Sequence, residues 1–183
     1  MTYDKKAQEF EDFVTVQLYK IGLSVNAFIS QKYQYEIGEG LGGIEIKNDA
    51  TMHKTGNLYI ETHERRDVNS HFVESGILRK DNTWLWCIGD ETTLYLIGKQ
   101  QLQRIHKYYP DGNEKITMVR RQTDTSLGFT LSREWVEENI ALVVIHCENK
   151  VDNDKQQEAE SPVEVYPQYW DAGRFCWHTG VQH

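Results

Sequence analysis

Along the first thirty residues the apolar positions recur at helical spacing. Phe10, Phe13, Val14, Leu18 and Ile21 fall on one stripe and predict a helix from about Lys6 to Ser30. Gly22 either stops it or marks a break before a second piece through Phe28. The period then changes. Tyr33-Gln34-Tyr35-Glu36-Ile37 reads as a short strand or the approach to one. Ile44 and Ile46 alternate with Glu45 and Lys47, which is the period of two of a strand from Gly43 to Asn48, and Asp49 continues the polar phase. Residues 49–57 are polar, end in Thr55-Gly56-Asn57, and predict a hairpin loop. Leu58 to His63 is the returning strand, with Leu58, Ile60 and Thr62 on one face and Tyr59, Glu61 and His63 on the other. In such a hairpin Glu61 falls roughly opposite Glu45.

Ser75-Gly76-Ile77-Leu78-Arg79 reads as a short extended piece before an Asp81-Asn82 turn. Trp84 to Gly89 is almost wholly apolar and predicts a strand buried on both faces, with Trp84 and Trp86 in the core. Thr92 to Ile97 is the next strand, and residues 99–109 form a helix carrying Leu102 and Ile105. After the turn signal Pro110-Asp111-Gly112-Asn113, residues 116–121 read as a strand. Gly128 to Ser132 leads to a helix that Ser132 caps, running to Ile140. Ala141 to Ile145 either extends that helix or makes a final strand. Residues 150–162 form a polar linker. Tyr166, Tyr169, Trp170, Phe175 and Trp177 are then expected to dock back on the core or to bind a partner, because so many aromatics do not hang free in water. The pattern is that of one α/β domain: a core over 1–109, completing elements over 110–149, and a linker with an aromatic C-terminal segment over 150–183.

The net charge of -8 counts against a generic DNA binder, since phosphate contacts want Lys and Arg. A local basic patch is open to Arg65-Arg66, Arg79-Lys80 and Arg120-Arg121, although such pairs are more often solvated surface. No apolar run approaches the roughly 20 residues that span a bilayer, and no apolar stretch follows Met1 directly. No membrane and a cytoplasmic location are therefore expected. Cys87, Cys147 and Cys176 are scattered and odd in number, which suits reduced thiols rather than disulfides or zinc. His71, His106 and His146 lack ligand spacing.

The chemistry concentrates in Gly38-Glu39-Gly40-Leu41-Gly42-Gly43-Ile44-Glu45-Ile46-Lys47-Asn48-Asp49. Four glycines let the backbone bend and bring Glu39 over the face that Glu45, Lys47 and Asp49 share. Carboxylates held together bind a hard cation such as magnesium, and a lysine beside them can orient a water for attack on phosphate. Glu39, Glu45, Asp49 and Glu61 are the candidate metal ligands. Lys47, Glu45 and Glu39 are the candidate catalytic residues. Glu36 rivals Glu39 as the first acid, and Asp49, Glu61 and His63 form a second set in which His63 stands where the lysine is expected.

An acid, a spacer and Glu-x-Lys on a strand resemble the PD-(D/E)XK nuclease superfamily. The wider run, Gly38-Glu39, Gly43 to Asp49, Thr55 to Glu61, Ser75-Gly76-Ile77 and Asp81-Asn82-Thr83-Trp84, covers roughly the first hundred residues and resembles a bacterial and phage group of that superfamily. It implies a restriction-endonuclease-like core, a mixed β-sheet flanked by helices with a C-terminal extension. It also implies magnesium or manganese, hydrolysis of nucleic-acid phosphodiesters (DNA before RNA), a homodimer, and Glu9 on the first helix as an accessory acid. A second expectation is a non-catalytic module of the same fold acting through protein contacts. A third is that Lys47 forms a structural salt bridge with Glu45 or Glu61.

Overall fold

Alternation along the central strands settles the layering. The computed structural model describes residues 5–27, 30–38, 40–108, 116–117, 123–147 and 163–165. In β4 (Leu85–Gly89) and β5 (Thr93–Gly98), Leu85, Cys87, Leu94 and Leu96 face one way, onto Phe10, Val14 and Leu18 of α1 (Lys5–Lys20). Trp86, Ile88, Tyr95 and Ile97 face the other way, into a second core. A strand buried on both faces reads as the continuous apolar run seen in the sequence. Each such side chain contributes about 1.5–3 kcal/mol by leaving water.

β4 and β5 lie inside a five-stranded mixed sheet. β1 (Ile44–Asn48) forms one edge, parallel to β4, and β8 (Val143–His146) and β9 (Val163–Val165) follow β5 antiparallel. A separate four-stranded antiparallel sheet runs in the order β3 (Val73–Glu74), β2 (Asn57–Glu64), β7 (Ser126–Ser132), β6 (Ile116–Thr117). Leu58, Ile60, Phe129 and Leu131 of this second sheet meet Trp86, Ile88, Tyr95 and Ile97 of the first. Leu102 and Ile105 of α4 (Lys99–Tyr108), with Val136 of α5 (Arg133–Asn139), join the same core. The protein is thus mixed α/β, with a mixed sheet flanked by helices. Among the described residues no helix is long and apolar enough to cross a membrane.

The expected hairpin does not form. β1 pairs with β4, and β2 pairs with β7 in the other sheet. Parallel strands cannot be joined by a tight turn and need a long crossover. Here residues 49–84 make that crossover, and β2 and β3 are part of it. The loop after β1 contains a helical turn, α3 (Met52–Thr55), because Met52 buries its side chain completely in the inter-sheet core. Residues 31–36 form a helix, α2 (Gln31–Glu36), rather than a strand, and Lys32 and Glu36 pair along it at 4.0 Å. Gly76–Leu78 is a 3-10 turn rather than an extended piece. α1 ends at Lys20, with Gly22 beyond it at φ 83. Ser132 accepts from Trp135 N at 3.4 Å, the expected cap, and residues 143–146 are strand. The segment 150–162 and the aromatics from Tyr166 to Trp177 lie outside the described residues.

Candidate functional site

β1 sits at a sheet edge and carries two different faces. Ile44 and Ile46 turn toward α1. Glu45 lies in register with Trp86 and Lys47 with Ile88, so both charged side chains face the second sheet. Lys47 Nζ stands 2.8 Å from Glu45 Oε1, and 5.7 Å from the centre of the Trp86 ring. Glu45 is only 2 % exposed, whereas the Lys47 side chain is 39 % exposed.

The partners of Glu45 arrive on residues 79–84, just ahead of β4. That segment is laced to the glycine-rich loop by Asn82 N donating to Ile37 O and Trp84 N donating to Gly43 O. Gly43 must be glycine. Its φ is +64, and a Cβ there would stand 2.5 Å from Asn82 O and 2.7 Å from the Trp84 ring. The close approach sets Arg79 Nη2 at 3.3 Å and Thr83 Oγ1 at 3.4 Å from Glu45 Oε2. Arg79 Nε also donates to Asp81 Oδ2 at 2.6 Å, and Lys99 Nζ, at the start of α4, donates to Asp81 Oδ1 at 2.6 Å and to Arg79 O at 2.6 Å.

The outcome is an alternating chain, Lys47–Glu45–Arg79–Asp81–Lys99, with one more cation than carboxylate. Burial by itself would raise the Asp81 carboxyl. Hydrogen bonds from Lys99, Arg79 and Thr83 N outweigh burial and hold it below the ordinary aspartate range. Such a chain keeps buried charges paired, as burial demands. Beside it opens a groove of about 950 Å³, lined by Arg79 to Trp84, the first turn of α4, Glu36 and Glu74.

The remaining sequence candidates are placed elsewhere. Asp49 ends β1 as a structural cap. Its Oδ1 accepts from Thr51 N and Oγ1, and its Oδ2 accepts from Tyr59 N at 2.8 Å, tying β1 to β2. Glu61 is not opposite Glu45, because its strand belongs to the other sheet. It points to the outer face there and accepts from Ser75 Oγ at 2.6 Å and Ser126 Oγ at 2.8 Å. His63 does not share that face. A bulge between Glu61 and His63 sets His63 against Leu127 rather than continuing the alternation, and its Nδ1 lies 3.0 Å from Thr62 Oγ1. Glu9 is on the solvent side of α1, paired with Lys5 at 3.4 Å, and α1 covers the sheet face opposite to Glu45. Glu39 lies outside the described residues. Glu36 lines the groove.

A divalent cation needs several free carboxylate oxygens at one point. Among the described residues no three of His, Cys, Asp and Glu converge in that way. Both oxygens of Glu45 are engaged by cations, and those of Asp49 and Glu61 are engaged by hydroxyls and backbone N–H groups. The described residues do not by themselves fit the ion. Cys87 and Cys147 are buried free thiols. Burial pushes Cys87 far up and Cys147 up to about 11, so neither offers a thiolate.

Sequence reasoning missed the second half of the network. Arg79 read as a surface basic pair with Lys80, Asp81 as a turn residue and Lys99 as a helix start. Trp84 is not core: it is 54 % exposed, while Trp86 is fully buried as expected. Comparison with protein-family models, with curated proteins and with solved structures gives no match to this chain.

Proposed function

We propose that the chain takes nucleic acid into the groove beside Arg79–Trp84 and hydrolyses its phosphodiester bonds, as a restriction-endonuclease-like nuclease with magnesium or manganese as cofactor. The observation that carries this reading is the contact of Lys47 with Glu45 at 2.8 Å, at one end of a charge chain whose Arg79, Asp81 and Lys99 line the groove. Lys47 is the more exposed of the pair and is suited to donating to a phosphate oxygen or orienting a water. Glu45 fixes the Lys47 ammonium. The network of Lys47, Arg79 and Lys99 with Glu45 and Asp81 holds one cation in excess, a balance that favours a phosphate gaining negative charge. The run of α1, β1, β4, β5 and α4 around one mixed sheet supports the fold part of the reading. The cofactor is a requirement to be measured, since the described carboxylates alone do not complete its shell. A homodimer belongs to the same reading, as the form that cuts both strands of DNA.

Incubating the protein with single- and double-stranded DNA and RNA, with magnesium or manganese, tests this directly. Cleavage is expected, and Lys47→Ala and Glu45→Gln proteins that still fold should not cleave. If every form of nucleic acid stays intact, the hydrolytic reading fails.

A second reading is a non-catalytic binding or assembly module. What favours it is that both oxygens of Glu45 are already taken, by Lys47 and by Arg79 with Thr83. Calorimetric titration with manganese separates the two: heat that disappears in Glu45→Gln supports the nuclease, and no heat supports the module.

A further inference from the structure

Resting on the nucleic-acid reading above, we propose that the groove takes a single strand, with one base stacked on Trp84 and the adjoining phosphate held by Lys80, Lys99 and the first turn of α4. Trp84 is a half-exposed indole in a groove wall, where solvent-facing apolar surface of that size calls for a purpose. Its ring is not loose. Nε1 donates to Gly42 O at 2.8 Å, which fixes the edge and leaves the ring as a platform. Aromatic platforms beside cations are how single strands are bound without base-pair readout.

The phosphate side of the site rests on Lys99. Its ammonium carries three donors. One goes to Arg79 O and one to Asp81 Oδ1, while the residue is only 4 % exposed and lies in the groove wall. Two of the three donors are thus engaged within the protein. Gly98, Lys99, Gln100 and Gln103 bring the positive end of the ten-residue helix α4 to the same wall. Lys80 is exposed at the rim. The lining also carries three carboxylates: Asp81, paired with Arg79 and Lys99, and Glu36 and Glu74. Glu36 is itself paired with Lys32. A duplex would present its bases stacked inward, and Trp84 would meet only sugar and phosphate. An unpaired strand can turn a base onto the ring.

Fluorescence anisotropy with labelled oligonucleotides in EDTA, so that nothing is cut, tests the proposal. A single strand should bind more tightly than a duplex of the same length. Trp84→Ala should weaken single-strand binding about tenfold or more, and Trp84→Phe should restore most of it. Lys80→Ala should lower the salt slope by about one. Melting curves of the three variants check that they fold. If Trp84→Ala folds and binds the strand as the wild type does, or if the duplex binds better, the single-strand proposal is overturned. Binding or metal-dependent cutting of duplex alone overturns it while leaving the nucleic-acid reading in place. No binding and no cutting of either form removes both.

Discussion

Lys47 Nζ lies 2.8 Å from Glu45 Oε1, two residues apart on one strand and on the same face, so the edge strand carries its own ion pair. The pair is asymmetric. Glu45 is sealed and held on its second oxygen by Arg79, and Lys47 reaches toward solvent. That asymmetry lets the carboxylate serve as an anchor and leaves the ammonium as the group able to meet a ligand.

The network should show its hierarchy in stability. Asp81→Ala leaves Lys99 without its counter-charge in a buried setting, and Arg79 with Glu45 alone, which costs about 3–5 kcal/mol. Lys47→Ala removes a partly exposed partner and costs about 1 kcal/mol or less. Urea midpoints of the two variants against wild type measure the difference. Equal losses would mean that the Asp81 end of the network is not where burial weighs most.

Acid should act through Asp81. Its folded-state carboxyl titrates below the unfolded one, so the stability it contributes is present above about pH 4 and is lost as pH falls through the lower, folded value. Wild type should therefore lose stability steeply below about pH 4. In Asp81→Asn that part of the slope should flatten. Denaturation curves at stepped pH measure it, and an unchanged slope contradicts the assignment.

Asp49 and Glu61 are predicted to be structural. Asp49→Ala frees Tyr59 N and the Thr51 groups from their acceptor and should cost about 1–3 kcal/mol. Glu61→Gln should be milder, because the amide oxygen still accepts from a serine. Both variants, once folded, should bind manganese and nucleic acid as wild type does. Loss of metal binding in either would restore it to the candidate metal set.

Gly43→Ala combines a left-handed backbone with a clash against Asn82 O and the Trp84 ring. It should destabilise by at least about 1–2 kcal/mol. It should also displace Trp84, read as a change in tryptophan emission at temperatures where the protein is still folded.

Much of the architecture was legible where the pattern was long and periodic. The α1 stripe, the two-faced run from Leu85 to Gly89 and the Ile44/Glu45/Ile46/Lys47 alternation each name their element and face. The partner of β1 was not legible. Adjacent strands suggest a hairpin, and only the burial of Met52 and the alternative pairing partners β4 and β7 decide otherwise. The phase of His63 was lost for a local reason, since a bulge leaves no mark in a period-two pattern. Half of the candidate site was readable, because Glu45 and Lys47 stand in one short motif. Arg79, Asp81 and Lys99 were not, since the contacts that join them to Glu45 span up to 34 positions in the chain.

The central claim is that this charged wall faces a phosphate-bearing strand. A crystal structure with a short phosphorothioate-linked single strand and manganese tests it most directly. The account predicts a backbone phosphate within hydrogen-bonding distance of Lys99 or Lys47 and a base against Trp84. A strand seated elsewhere, with the groove holding only water, would contradict it.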